Sequence, residues 1–345
     1  MKALIVTGQN SNNWEVSSEI LSQILENSGL FNTDIAISPK EGENMAGFSP
    51  AFDKYDVVVL DYKGDSWSAE TKASFESYIG NGGGVVIYHA ANNSFHEWEA
   101  YKSISGSSEP AGDQTEFVVE HKDPEHPILK GIPDRWMQSR DLLFSETQAP
   151  TETRTVLATA SIKPGKGGTG RPEPVIYTLE HGKGRVFHTT LGHVDENRPV
   201  ALQSAGFILT LQRGAEWAAT GNVTQKLPTD LPNVATPLIL PDYKFFTLDE
   251  LFSKAKSYEF GKPERYLYLI SIRINHAKSD PVQLKEFEDR IIEFMESDAS
   301  AESKNYFCRE LSWMGSEASI PVLEKLLENP ETKDMADFAL QRLQN

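Results

Sequence analysis

Two stretches of this chain, YDVVVLDY (55–62) and GGGVVIYHAANN (82–93), each contain an unbroken apolar run of strand length. A strand that is apolar on both sides must be covered on both faces, which is the situation of a parallel sheet packed between helices. The flanking pattern agrees. Lys2 to Val6 reads as a first strand, and the segment after it places Val16, Ile20, Leu21, Ile24 and Leu25 on one helical stripe, with Gly29 as C-cap. A strand at 33–37 follows, and Ser68 opens a second helix as N-cap, with Thr71 where a capping box would carry Glu. Shorter strands are expected at 115–120, 154–160 and 173–179, then a strong one in GRVFHTTLGHV (184–194) and a helix at 199–213. Alternating strands and helices predict an α/β domain with a mainly parallel sheet over residues 1–217.

Residues 218–243 carry four prolines and little periodicity, and read as a connector. From 244 to 345 the pattern is helical, in pieces of ten to sixteen residues. The last pair, with Pro321 in the first turn of its second helix, is similar to a HEAT-type α-α repeat, so a small all-α helical-repeat domain is expected, offering a surface for a protein partner.

Acidic residues outnumber basic ones by 50 to 33, a formal charge of −17, and no Lys/Arg-rich run breaks the pattern. Such a field disfavours nucleic acid and anionic membrane surfaces as partners and suits a neutral substrate such as a sugar. Cys308 is the single cysteine, so an internal disulfide and a multi-Cys metal site are excluded, and it reads as an inert core thiol. MKALIVTG leads straight into a strand with no signal-peptide pattern, and the apolar runs are strand-sized. A cytoplasmic location is expected.

In an open parallel sheet, ligands bind outside the carboxyl ends of the strands. Four strands here end in polar groups: Thr7, Gly8, Gln9 and Asn10; Asp61 and Tyr62; His89, Asn92 and Asn93; and His188, Thr189, Thr190 and His193. If those strands are parallel their tips share one crevice. His89 reads either as a histidine satisfied by a neighbouring loop or as a functional imidazole, and the company of Asp61 and His193 favours the second. Imidazole titrates near neutral pH and moves protons at hydroxyls or at carbons next to a carbonyl. The expected roles are His89 as general base, Asp61 orienting it, and His193 as acid or substrate contact. Gln9, Asn10, Trp14, Tyr62, Asn92, Glu97 and Thr190 are candidate substrate contacts.

His188 reads as packed within its strand and His126 as part of a rigid turn, while His96, His121, His181 and His276 sit in polar surface contexts. The turn after the fourth strand has His89 where a hydrolase-like elbow would carry Ser or Cys, so acyl transfer is excluded there. No GxGxxG opens the first helix, and KPGKGGTGR (163–171) lacks Walker spacing and reads as a hairpin loop. No HxxxH or HExxH helix supplies zinc ligands, so neither metal nor cofactor is expected.

The ordered blocks ALIVTGQN…NW, YDVVVLDYKGDSW, GGGVVIYHAANNSFHEW, PEHPILKGIP and GKGRVFHTTLGHV resemble the trehalose-utilisation (ThuA-like) family over roughly residues 1–215. The resemblance implies a flavodoxin-like three-layer sandwich, similar to class I glutamine amidotransferases without their cysteine, and a role in catabolism of sugars or keto-glycosides. The chain departs from the family blocks at Asn12, Asn13, Trp14, where His-Asn-Trp or His-Asp-Trp is usual. Thr115 stands in place of a histidine; Asp141, Leu142, Leu143, Phe144 replace Asp-Glu-Leu-Tyr; and Gly170, Arg171, Pro172, Glu173, Pro174 replace Gly-Arg-His-Glu-Pro. Loss of these titratable positions sets two expectations side by side. One is an enzyme whose pocket floor (His89, His193, Asp61) persists, with His96 or Glu97 taking over lost roles. The other is a catalytically decayed sugar-binding or scaffold protein whose helical repeats dock a partner.

Overall fold

The computed structural model describes residues 1–10, 13–194, 199–262 and 265–344, without the side chains of residues 265, 272 and 276. The expectations placed on Asn12 and on the side chain of His276 therefore lie outside the described residues. The chain divides into two compact units, Met1–Phe245 and Phe246–Asn345.

The first unit holds the strands β1 (Lys2–Gly8), β2 (Asn32–Ile37), β3 (Val57–Tyr62), β4 (Gly84–Tyr88), β5 (Ser107–Pro110), β6 (Thr115–His121), β7 (Arg135–Asp141), β8 (Phe144–Gln148), β9 (Arg154–Ala160), β10 (Glu173–His181) and β11 (Gly184–Thr189). Its helices are α1 (Trp14–Asn27), α2 (Ala69–Gly80), α3 (Glu99–Ser105) and α4 (Ala205–Thr220). Nine strands form one sheet in the order β2-β1-β3-β4-β11-β10-β9-β6-β7, and β5 pairs with β8 apart from it.

The sheet is mixed, which corrects the expectation of a mainly parallel one. β2, β1, β3, β4 and β11 run parallel to their neighbours. From β11 outward every pairing is antiparallel. The reason is connectivity: parallel neighbours need a crossover of a dozen or more residues, which α1 and α2 supply, whereas a tight turn between His181 and Gly184 joins β10 to β11 and makes that pair antiparallel. The parallel order 2-1-3-4 followed by one more strand is that of flavodoxin-like sheets.

Alternate residues of the parallel strands pack to opposite faces. Leu4, Val6, Val58, Leu60, Val85, Ile87 and Val186 meet Phe75, Tyr78 and Ile79 of α2 and the aromatic group Phe52, Trp67, Phe95, Trp98 and Tyr101. The other face is closed by α1 and α4, where Phe207 lies edge-on to Tyr88. α2 begins where Ser68 Oγ accepts the Thr71 amide, and α1 buries Ile20, Leu21, Ile24 and Leu25 before Gly29 turns the chain at φ +72°.

The helix expected at 199–213 is displaced to Ala205–Thr220, because Gly214 lies inside it against the sheet and Gly221 in the left-handed region ends it. After α4 the proline-bearing stretch follows the first unit: Met137 N donates to Asn233 O, Leu240 N to Gln203 O and Ala205 N to Leu238 O. Leu238 and Leu240 are buried.

The second unit is helical: α5 (Leu248–Ala255), α6 (Arg265–His276), α7 (Pro281–Glu296), α8 (Ala301–Met314), α9 (Ile320–Leu326) and α10 (Lys333–Leu343). Thr247 and Glu250 form a complete capping box on α5, Asp280 caps α7 ahead of Pro281, and Pro321 occupies the first turn of α9. The core includes Phe252, Phe294 and Phe307, with ring centroids 4.9 Å apart for the last two, and the buried Cys308, whose thiol burial pushes up to about 12. Among the described residues no helix is long and apolar enough to cross a membrane.

Candidate functional site

β1, β3, β4 and β11 lie side by side in parallel register, with Thr7 opposite Asp61 and Tyr88 opposite Thr189. Their tips therefore fall on one edge of the sheet. Two of these tips turn sharply: His89 has φ +45° and Gln9 φ +55°, a left-handed conformation that costs a residue with a side chain on the order of 1 kcal/mol or more. The surrounding bonds over-determine both positions.

His89 is 2% exposed. Its Nδ1 lies 2.7 Å from the carbonyl of Thr190, and its Nε2 lies 3.0 Å from Nδ1 of His193. A carbonyl only accepts, so His89 Nδ1 carries the proton and Nε2 the lone pair, and His193 Nδ1 must then donate. Burial first, and the neighbouring His193 second, push His89 down to about 3, so it stays neutral and remains an acceptor. Phe144 stands edge-on to the His89 ring at 5.0 Å. His193 is half-buried and so is the more exposed ring of the pair, while both nitrogens of His89 are engaged within the fold.

Asp61 does not orient His89, since both His89 nitrogens are engaged elsewhere. Its carboxylate, fully buried, receives Ser17 Oγ at 2.6 Å, Asn10 Nδ2 at 2.8 Å and Thr7 Oγ1 at 3.2 Å. Burial pushes this carboxyl up to about 7 against the pull of those three donors. The carboxylate ties the tip of β1 and the first turn of α1 to the tip of β3.

A second buried carboxylate, Asp141 at the end of β7, faces the His193 loop. Its Oδ1 accepts from Leu142 N at 2.7 Å and His193 N at 2.9 Å; its Oδ2 accepts from Gly192 N and from Gln138 Nε2, both at 2.9 Å. The Tyr88 hydroxyl donates to Gly192 O.

The seven candidate substrate contacts fall into groups. Gln9 joins Pro39 O at 2.6 Å to Asp65 N at 2.7 Å, Asn10 holds Asp61, and Tyr62 lies in the aromatic core with its hydroxyl on Asp65 O. Asn92 accepts from His188 Nε2 at 2.8 Å and donates to Ser108 Oγ. Trp14 is half-exposed at the start of α1, and Glu97, like His96, is exposed ahead of α3. Thr190 is buried beside His89, and its Oγ1 has no partner among the described residues.

Four further histidines make contacts within the fold. His188 stacks on Tyr177 with centroids 4.1 Å apart, His126 accepts from Ile128 N at 3.3 Å, and His181 lies 3.2 Å from Glu152. His121 corrects the surface reading: its side chain is 1% exposed and meets the edge of Trp136. Among the described residues no group of three or more His, Cys, Asp or Glu side chains could hold a metal ion.

Sequence reasoning named Asp141 and Phe144 only as positions of a family block, with no role at the site, and did not name Ser17. Ser17 carried a signal, being a hydroxyl on the buried stripe of α1. Of the described positions in the family blocks that differ, Thr115 pairs with Asp141 across β6 and β7, Phe144 touches His89, and the neighbouring Glu173 is buried, accepting from Ser145 Oγ and Thr169 Oγ1.

No curated protein matches the chain. Among solved structures, a ThuA-like protein from Parabacteroides merdae shares 42% identity, with a TM-score of 0.67 over 71% of this chain and 99% of its own. A ThuA-like protein from Bacteroides uniformis shares 19% identity with a TM-score of 0.49, covering 65% of this chain and 93% of its own. A protein of Salmonella typhimurium described as cytoplasmic shares 14% identity with a TM-score of 0.44, covering 63% and 99%. The family model for trehalose utilisation, ThuA, matches residues 2–218, the whole of the sheet and the site at its edge, and the chain belongs to that family.

Proposed function

We propose that this protein acts on a sugar or keto-sugar in carbohydrate catabolism, transferring a proton at a hydroxyl or at a carbon beside a carbonyl, with His193 as the acid/base group. One observation carries the reading: the directed chain from Thr190 O through His89 to His193, with links of 2.7 Å and 3.0 Å. A neutral, buried His89 holds the tautomer of His193, and its lone pair strengthens the hydrogen bond when His193 becomes a cation, the role an orienting group plays for a catalytic base. The net charge of −17 favours a neutral substrate, and membership of a family described by trehalose utilisation supports a sugar. We read the parallel half of the sheet as a class I glutamine amidotransferase-like framework with imidazole at the elbow after β4.

The alternative is a sugar-binding or scaffold protein whose helical unit docks a partner, supported by Thr115, Leu142 and Pro172 at family positions that are usually titratable. One experiment separates the two. Purified protein is offered a panel of glucosides and their 3-keto derivatives, with turnover followed by chromatography and binding by calorimetry. Turnover that falls about a hundredfold or more in His193→Gln supports the first reading. Binding without turnover, unchanged by His193→Gln, supports the second, and turnover indifferent to His193 overturns the first.

A further inference from the structure

The peptide unit between Gly192 and His193 is fixed from both sides. Its carbonyl accepts from the Tyr88 hydroxyl, and its N–H donates to Asp141 Oδ1 at 2.9 Å. The preceding amide, Gly192 N, donates to Asp141 Oδ2, also at 2.9 Å. Gly192 has φ +102°, and a Cβ there would stand 2.7 Å from the Tyr88 ring and 2.8 Å from Phe207, so only glycine fits the clamp. A clamped peptide plane sets the direction in which the His193 side chain leaves the backbone, and hence which of its nitrogens meets His89.

We propose that Asp141 is the positioning residue of the site: its carboxylate selects the loop conformation in which His193 Nδ1 donates to His89 Nε2. The proposal rests on the reading of His193 as the acid/base group and adds the element that orients it. Asp141 suits the task because each oxygen takes two N–H donors, Leu142 and His193 on Oδ1, Gly192 and Gln138 on Oδ2. No amide can replace it. In Asp141→Asn either orientation points an NH2 group at two donors, so at least one backbone bond of the loop is lost while volume is unchanged.

The test is ring-nitrogen NMR of the full-length protein labelled with 15N in histidine, comparing wild type, Asp141→Asn, Tyr88→Phe and Gly214→Ala. Wild type is expected to show His193 as the Nδ1–H tautomer. In Asp141→Asn the ratio of that tautomer to the other should fall at least tenfold, and Tyr88→Phe, which loosens the same peptide from its other side, should move it in the same direction by less. Gly214→Ala, which destabilises the unit away from the loop, should leave the tautomer alone. If a keto-glycoside is turned over, Asp141→Asn should lower kcat about a hundredfold with KM little changed, the scale expected for a misdirected catalytic group.

A folded Asp141→Asn with the wild-type tautomer overturns the proposal. Should that variant fail to fold, an unchanged tautomer in Tyr88→Phe does the same. A shifted tautomer combined with turnover indifferent to His193→Gln would leave the positioning role standing and remove the chemistry assigned to His193.

Discussion

Asp61 and Asp141 are both fully buried, but their donors differ in kind. Asp141 is surrounded by N–H groups alone, which leave no place for a proton, so it functions as an anion above the value of about 6 to which burial pushes it. Asp61 faces two hydroxyls. Thr7 Oγ1 also lies 3.0 Å from the Asp61 carbonyl and can donate there while accepting from a protonated carboxyl. The folded state therefore holds a proton on Asp61 up to about 7, whereas the unfolded chain loses it near ~4. This contribution to stability is complete below the unfolded value and is lost as pH rises through 7. His89 and His188, pushed to about 3, and His121, pushed to about 4, act in the opposite sense, because the unfolded chain takes up protons below ~6.5 that the folded one refuses. Comparing wild type with Asp61→Asn isolates the carboxyl from the histidines. Urea denaturation between pH 4 and pH 8 should show wild type losing stability relative to the variant as pH rises. A difference constant across that range would mean that Asp61 carries no proton. At this scale the sequence made His89 and His193 legible, because each closes an apolar strand. It could not show that Asp61 is held by Thr7 and Ser17, which come from a different strand and from a helix stripe that reads as apolar.

Among elements, the parallel strands were legible and the antiparallel ones only in part. β3 and β4 each carry an unbroken apolar run, residues 57–60 and 85–88, because helices cover both faces, but β7 carries Arg135, Gln138, Arg140 and Asp141, with no run of apolar residues to mark it. β7 and β8 were therefore missed, and with them the carboxylate that holds the His193 loop. α4 was placed too early for a related reason: glycine reads as a helix terminator, yet Gly214 is there because the helix runs close over β11. A Cβ at Gly214 would lie 2.6 Å from the Phe187 ring. Replacing glycine by alanine in an open helix gains about 1 kcal/mol. Here the overpacking against a closed sheet outweighs it, and Gly214→Ala should destabilise the protein by roughly 1–3 kcal/mol. Thermal unfolding of the variant checks this, and a raised midpoint would show that α4 can move off the sheet.

For the whole molecule, the bonds described for the site lie within the first unit, and the stretch after α4 returns to the same unit through Asn233, Leu238 and Leu240. The helical unit has an aromatic core of its own in Phe252, Phe294 and Phe307, and buried polar ties such as Glu288, which accepts from Ser316 N at 2.6 Å and Ser319 Oγ at 2.7 Å. Each unit is also long enough to bury a core independently. A chain ending at Phe245 should therefore fold, unfold cooperatively and reproduce the His89 and His193 ring-nitrogen signals of the full protein. Residues 246–345 alone should give a helical circular dichroism spectrum, and the intact chain should unfold in two separable steps. An unfolded 1–245 fragment, or a fragment whose histidine signals differ from those of the whole, would show that the helical unit completes the site, and the proton chemistry proposed for the sheet edge would then have to be assigned to both units together.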